Sequence, residues 1–193
     1  FNAQPRTIEN DDPGFTQAGN WGRSVVEGYQ GDVRYHVKGS GDSHVNYEFT
    51  GLTPGQYYRV ATTWTTGSSR TTYTDYQMFD LAAAAISPFD TPDATASVDQ
   101  RNAPDDFYYA GEAWENLGLV QLSADPASTT LTVRLTDDAN NWIYADAIRI
   151  VMDDGNVDAG IIGVDPEIVV VPVGGPAPLP GRSSVHGAPE LGR

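Results

Sequence analysis

At 193 residues the chain can bury one good core, or one core and a tail, but hardly two independent domains. Its 26 acidic side chains outnumber 11 basic ones, of which Lys38 is the sole lysine, and the net charge of −15 makes nucleic acid and anionic membrane poor partners. With no cysteine it forms neither a disulfide nor a thiolate metal site, and no stretch is long and apolar enough to span a bilayer as a helix.

The chain begins Phe1-Asn2 rather than with Met, which points to a processed or excised product. Asp11-Asp12-Pro13-Gly14 is a turn, because Pro presets one φ and Gly supplies the permissive one. Residues 31–38 alternate Val33, Tyr35 and Val37 against Asp32, Arg34, His36 and Lys38, the period of a half-buried strand. Residues 45–49 alternate again after the loop GSGDS, so the two strands are expected to form a hairpin. Residues 57–64 follow as a strand with Tyr58, Val60, Thr62 and Trp64 on one face, and the Thr, Ser and Gly of 65–74 predict a loop. The Ala-rich run 81–86 favours helix by propensity, but Pro88 and Pro92 curtail it, leaving a short turn or strand.

Residues 98–106 have no period, and 114–122 end in a strand. The cleanest alternation is 129–135, with Leu131, Val133 and Leu135 inward; 137–141 should turn it, and 142–151 should return as one long strand. Turn signals every eight to fifteen residues around short alternating runs predict an all-β protein, an antiparallel β-sandwich of jelly-roll or related topology with little helix.

From Met152 the texture changes. A sandwich domain over 1–154 is expected to give way to an extended tail over 155–193, rich in Pro and Gly at its end. Within the tail, Ile168, Val169, Val170, Val171 and Val173 form an apolar strand, interrupted only by Pro172, whose two faces both need covering. Such a strand can complete its own sheet or be donated to a neighbour's, and a head-to-tail donation that does not close generates a filament.

The segments NDDPGF, GNWG, GYQGDVRYH, YEFTGLTPGQYYRV, VDQRNAPDDF, WENLGLVQL and LTVRLTDDAN…ADAIRI agree in order and spacing with one family. Over about residues 8–150 the chain resembles the golvesin C-terminal-like domain, also described as a xanthan-lyase carbohydrate-binding-like domain. The resemblance implies a β-sandwich module of large secreted bacterial proteins, with binding or structural rather than catalytic work. Residues 68–96 depart from the family pattern, and their Ala-rich stretch reads as an insertion.

No H-E-x-x-H, G-x-S-x-G or phosphate loop is present, and the three histidines, His36, His44 and His186, lie on unrelated segments, so no enzyme is expected. Calcium is the one cofactor the chain suggests: Asp137, Asp138 and Asn140, then Asp153 and Asp154, with Asp105-Asp106 as a third group, offer hard oxygen ligands on loops. The same residues dominate turns for purely local reasons. Tyr73, Tyr76, Tyr108, Tyr109 and Trp142 sit in or beside loops as candidates for stacking on sugar rings, whereas Trp21, Trp64 and Trp114 are expected in the core. The leading expectation is an extracellular, non-catalytic subunit that assembles with identical neighbours into a surface fibre through the strand at 167–173. The alternative is a carbohydrate-binding module of a secreted polysaccharide-active or cell-surface protein.

Overall fold

The computed structural model describes residues 4–153, in thirteen short strands with two single turns of 3₁₀ helix at Tyr29–Gly31 and Ala83–Ala85. One five-stranded sheet runs β1 (Arg6–Ile8), β13 (Ala147–Asp153), β6 (Tyr57–Thr63), β10 (Glu112–Gln121) and β9 (Phe107–Tyr109) in spatial order. A second runs β2 (Phe15–Ala18), β5 (His44–Thr50), β11 (Thr130–Ala139), β7 (Thr74–Phe79) and β8 (Ala94–Val98). A small third sheet joins β12 (Ile143–Ala145), β4 (Val33–His36) and β3 (Gly22–Ser24). Every pairing between named strands is antiparallel. No helix among the described residues is long and apolar enough to cross a membrane.

The two large sheets meet in one core, as the period of two requires when alternate side chains of each strand point inward. Tyr58, Val60, Ile148, Ile150 and Val120 come from the first sheet, and Val45, Tyr47, Phe49, Met78, Leu131, Val133 and Leu135 from the second. Tyr47 ties the layers, its hydroxyl donating to the Asp146 carbonyl at 3.0 Å. The first sheet is covered on its outer side too, where Trp114 packs between Tyr29 at 5.5 Å and Phe107 at 6.3 Å. Both faces of β6 are therefore buried, Ala61 and Thr63 no less than Tyr58 and Val60. The turn at 11–14 forms as read: Phe15 N–H donates to Asp12 O at 3.0 Å, and Gly14 takes a φ of +101°. A Cβ there would lie 2.5 Å from the Glu48 carbonyl oxygen, so glycine is required sterically as well as conformationally.

Three expectations need correction. Residues 31–38 and 45–49 form no hairpin, because β4 pairs with β3 and β12 while β5 pairs with β2 and β11. The segment 137–139 continues β11 instead of turning it: Asp137 N–H donates to Ser43 O at 2.9 Å and its carboxylate accepts Gly41 N–H at 2.7 Å. The long strand over 142–151 is cut at Asp146, whose carboxylate accepts the Tyr29 N–H through both oxygens, at 3.0 and 2.9 Å. Asp154, the tail over 155–193 and the strand at 167–173 lie outside the described residues.

Candidate functional site

The small sheet carries an aromatic groove on one face. Gly22, Tyr35 and Tyr144 are direct partners across β3, β4 and β12, so their side-chain positions share that face. A Cβ on Gly22 would lie 2.4 Å from Cζ of Tyr35: the phenol ring lies across the glycine, in space only glycine leaves. The Tyr35 and Tyr144 rings stack 5.8 Å apart at 26°. Trp142, two residues before Tyr144, stands on the same face, its ring 5.9 Å from Tyr35 and inclined by 65°. Its indole is 39% exposed.

The loop over 65–73 closes the groove from the side. It is pinned to β12 by a parallel bridge between Arg70 and Trp142 and by Thr71 N–H donating to Trp142 O at 2.8 Å. Asn140 fastens the same loop, its side-chain carbonyl accepting from the Thr71 hydroxyl and the Thr72 N–H, each at 3.0 Å. Arg70 is thereby laid flat on Tyr144, its guanidinium carbon 3.4 Å from the ring centre. Gly67 backs its other side, where a Cβ would come within 3.3 Å of that carbon. Arg70 Nε donates to Thr65 O and Nη1 to the Ser69 hydroxyl, both at 3.2 Å, while Nη2 faces Glu27 Oε2 at 4.0 Å. Burial raises the Tyr144 hydroxyl above the usual tyrosine range; Arg70 pulls it down, and Glu27 and Tyr35 push it up. At neutral pH that hydroxyl is uncharged and able both to donate and to accept.

Tyr35, Ser69, Arg70, Trp142 and Tyr144 together line a cavity of about 200 Å³. It offers apolar ring faces beside a planar fork of N–H donors, three hydroxyls and an indole edge, the combination that holds a polyhydroxylated ring. Glu27 faces Arg70 from beside the groove, and no carboxylate is among the described residues that line the cavity.

Of the aromatic candidates, the structure brings only Trp142 into this groove. Tyr73 lies in the Arg70 loop and is exposed. Tyr108 and Tyr109 lie on β9, an edge strand of the first large sheet; Tyr108 is exposed, while Tyr109 packs on Trp114 at 6.4 Å and under Arg149 at 4.5 Å. Tyr76 is a correction: at 1% exposure it is a core residue, its hydroxyl bonded to Thr62 at 3.2 Å, and it presents no ring to a ligand. Trp21, Trp64 and Trp114 are buried as expected.

Among the described residues the calcium groups at 137–140 and 153 do not converge, whereas Asp105 and Asp106 lie together with Glu115. Asp137 is buried and clamps the loop at 39–43, Asn140 clamps the Arg70 loop, and Asp153 pairs with Arg59 at 2.8 Å, leaving Asp138 exposed on its own. Among the described residues the only carboxylates within mutual reach of one ion are Asp105, Asp106 and Glu115. Two of these already accept backbone N–H groups, Glu115 from Asp105 at 3.3 Å and Asp106 from Asn116 at 2.8 Å.

Sequence reasoning missed Tyr35, Tyr144, Ser69 and Arg70. The alternation of 31–38 places Tyr35 inward beside Val33, yet only Val33 is fully buried and Val37 is exposed. Arg70 carries no local signal, since its partners stand 72 and 74 residues away. The available clue was a lone arginine in a loop otherwise made of Thr, Ser and Gly up to Tyr73.

Comparison with curated protein sequences finds no match. Among solved structures, a xanthan lyase from Paenibacillus shares 22% identity over 76% of this chain at a TM-score of 0.53, and the chain spans only 13% of the lyase's length. A CBM35 from Cellvibrio japonicus Abf62 shares 12% identity over 79% of this chain and 99% of its own, at a TM-score of 0.50. Both likenesses are of fold. The sequence model of the Golvesin C-terminal domain matches residues 6–152, nearly all of the described β-sandwich, and the chain belongs to that family.

Proposed function

We propose that this domain is a non-catalytic carbohydrate-binding module of a secreted bacterial protein, and that it holds glycan in the groove over β4 and β12. The observation that carries the reading is the half-exposed indole of Trp142 set beside Tyr35, Tyr144 and the stacked guanidinium of Arg70. The sandwich shared with a carbohydrate-binding module from Cellvibrio supports it, as does the short span of the lyase to which the chain corresponds. Because Trp142 stands outside the core, its loss should leave the fold intact. In affinity electrophoresis and calorimetry against a panel of polysaccharides, Trp142→Ala should weaken retention about five- to thirtyfold, the worth of one lost stacking face of some 1–2 kcal/mol. Retention of no polysaccharide by the parent protein, or undiminished retention by the variant, would overturn the reading.

Assembly with identical subunits through Ile168, Val169, Val170, Val171 and Val173 is a second and separate reading, supported by the apolar run itself. Truncation after Asp154 separates the two. A glycan binder keeps its affinity within about twofold and its state of association, whereas an assembly subunit changes from polymer to monomer. Light scattering on both chains decides it.

A further inference from the structure

We infer that the groove takes a single uncharged sugar ring of a soluble glycan, and that Glu27 is the residue that turns anionic sugars away. The inference rests on the carbohydrate-binding reading and narrows it to a class of ligand.

Size comes first. The cavity of about 200 Å³ is well below the roughly 300–1,000 Å³ of a site for a drug-sized ligand, the scale on which a single ring is seated. Shape comes second. Binding the flat face of a crystalline polysaccharide needs several aromatic rings in one plane, each open on the same side. Here Trp142 is inclined 65° to Tyr35, Tyr35 and Tyr144 lie against each other, and Arg70 covers the Tyr144 ring. The indole is left as the one open platform, with donors at its edge.

Charge comes third. Among the described residues Arg70 is the only cation lining the cavity, and alone it would favour a carboxylate. Its fork is already engaged, with Nε on Thr65, Nη1 on Ser69 and Nη2 facing the Glu27 carboxylate. A uronate seated there would set a second carboxylate near Glu27, inside the field of a chain with net charge −15. Hydroxyl groups accept from the same fork without that repulsion. Glu27 thus offsets the charge of Arg70 and removes the attraction that an isolated guanidinium would exert on acidic sugars.

The experiment compares three probe classes on the intact chain: hydroxyethyl cellulose, galactomannan and arabinoxylan as uncharged soluble glycans; polygalacturonate and alginate as anionic ones; microcrystalline cellulose and chitin as flat solids. The parent protein should be retarded by an uncharged soluble glycan at least about tenfold more strongly than by either polyanion, and should not be depleted by the solids. Glu27→Gln should shift the ratio of anionic to uncharged affinity at least about fivefold toward the anionic probes at low salt, and less at high salt. Depletion by cellulose or chitin, preference of the parent for a polyuronate, or an unchanged ratio in the variant would overturn the inference while leaving carbohydrate binding in place. Retention by no probe removes both.

Discussion

A Gln100→Leu variant should lose about 2–6 kcal/mol of stability in urea denaturation, and its glycan retention with it. Gln100 is fully buried, and its side-chain amide brackets one residue of β12: Nε2 donates to Tyr144 O at 2.7 Å and Oε1 accepts from Tyr144 N–H at 2.9 Å. Its own N–H donates to Thr71 O at 3.1 Å, next to Arg70. One side chain therefore does for the free edge of β12 what a neighbouring strand would do, and also fixes the loop that carries the guanidinium. Leucine fills much the same volume but leaves two buried backbone groups without partners, at about 1–3 kcal/mol each. Gln100→Glu sharpens the test. It turns the donor to Tyr144 O into an oxygen, so the loss should match that of leucine at pH 7 and shrink near pH 4, where a protonated carboxyl donates again. A leucine variant as stable as the parent would show that the edge of β12 needs no such bracket.

The same residue marks how far the sequence could be read. Leu131, Val133 and Leu135, and likewise Tyr58, Val60 and Trp64, announce their burial through strict alternation, and the structure buries all of them. Local alternation reports which face is covered but not which strand lies beside it, and so the pairing of 31–38 with 45–49 misled. The groove depends on pairings of long range. Tyr35 meets Tyr144 across the small sheet, Arg70 meets both Trp142 and Tyr144, and Gln100 meets Tyr144. None of these leaves a mark within a few residues of its partners. Asp and Asn side chains misled for a related reason. Asp137 and Asn140 look like open ligands in a string of letters, whereas in the fold their oxygens are taken by backbone N–H groups of distant loops. Tyr76 was misplaced because its neighbours Thr74, Asp75 and Gln77 give the segment a polar texture, although Tyr76 and Met78 point into the core.

The domain should be more stable at pH 5 than at pH 8, and Asp146→Asn should remove most of that difference. Asp146 is almost wholly buried where the chain crosses from β12 to β13. Burial raises its carboxyl to about 8; the Tyr29 N–H works against the rise, and Glu9, Glu112 and Asp32 add to it. Glu9 is raised to about 7, by burial and then by the charges of Asp32 and Asp12, so it acts in the same direction. Between the unfolded value near 4 and these folded values, the folded chain holds protons that the unfolded chain releases. Stability is then complete below about pH 4, falls as pH rises, by at most about 1.4 kcal/mol per pH unit for each such group, and levels off above about pH 8. Asparagine keeps the carbonyl oxygen that accepts from Tyr29 and can never carry the charge. The variant should match the parent near pH 5 and exceed it by a few kcal/mol at pH 8, as measured by urea titration at each pH. If the variant were the weaker at both values, the fold would instead be holding the carboxylate in its charged form, and the close approach of Glu9, Asp32 and Asp146 would need a compensating positive charge.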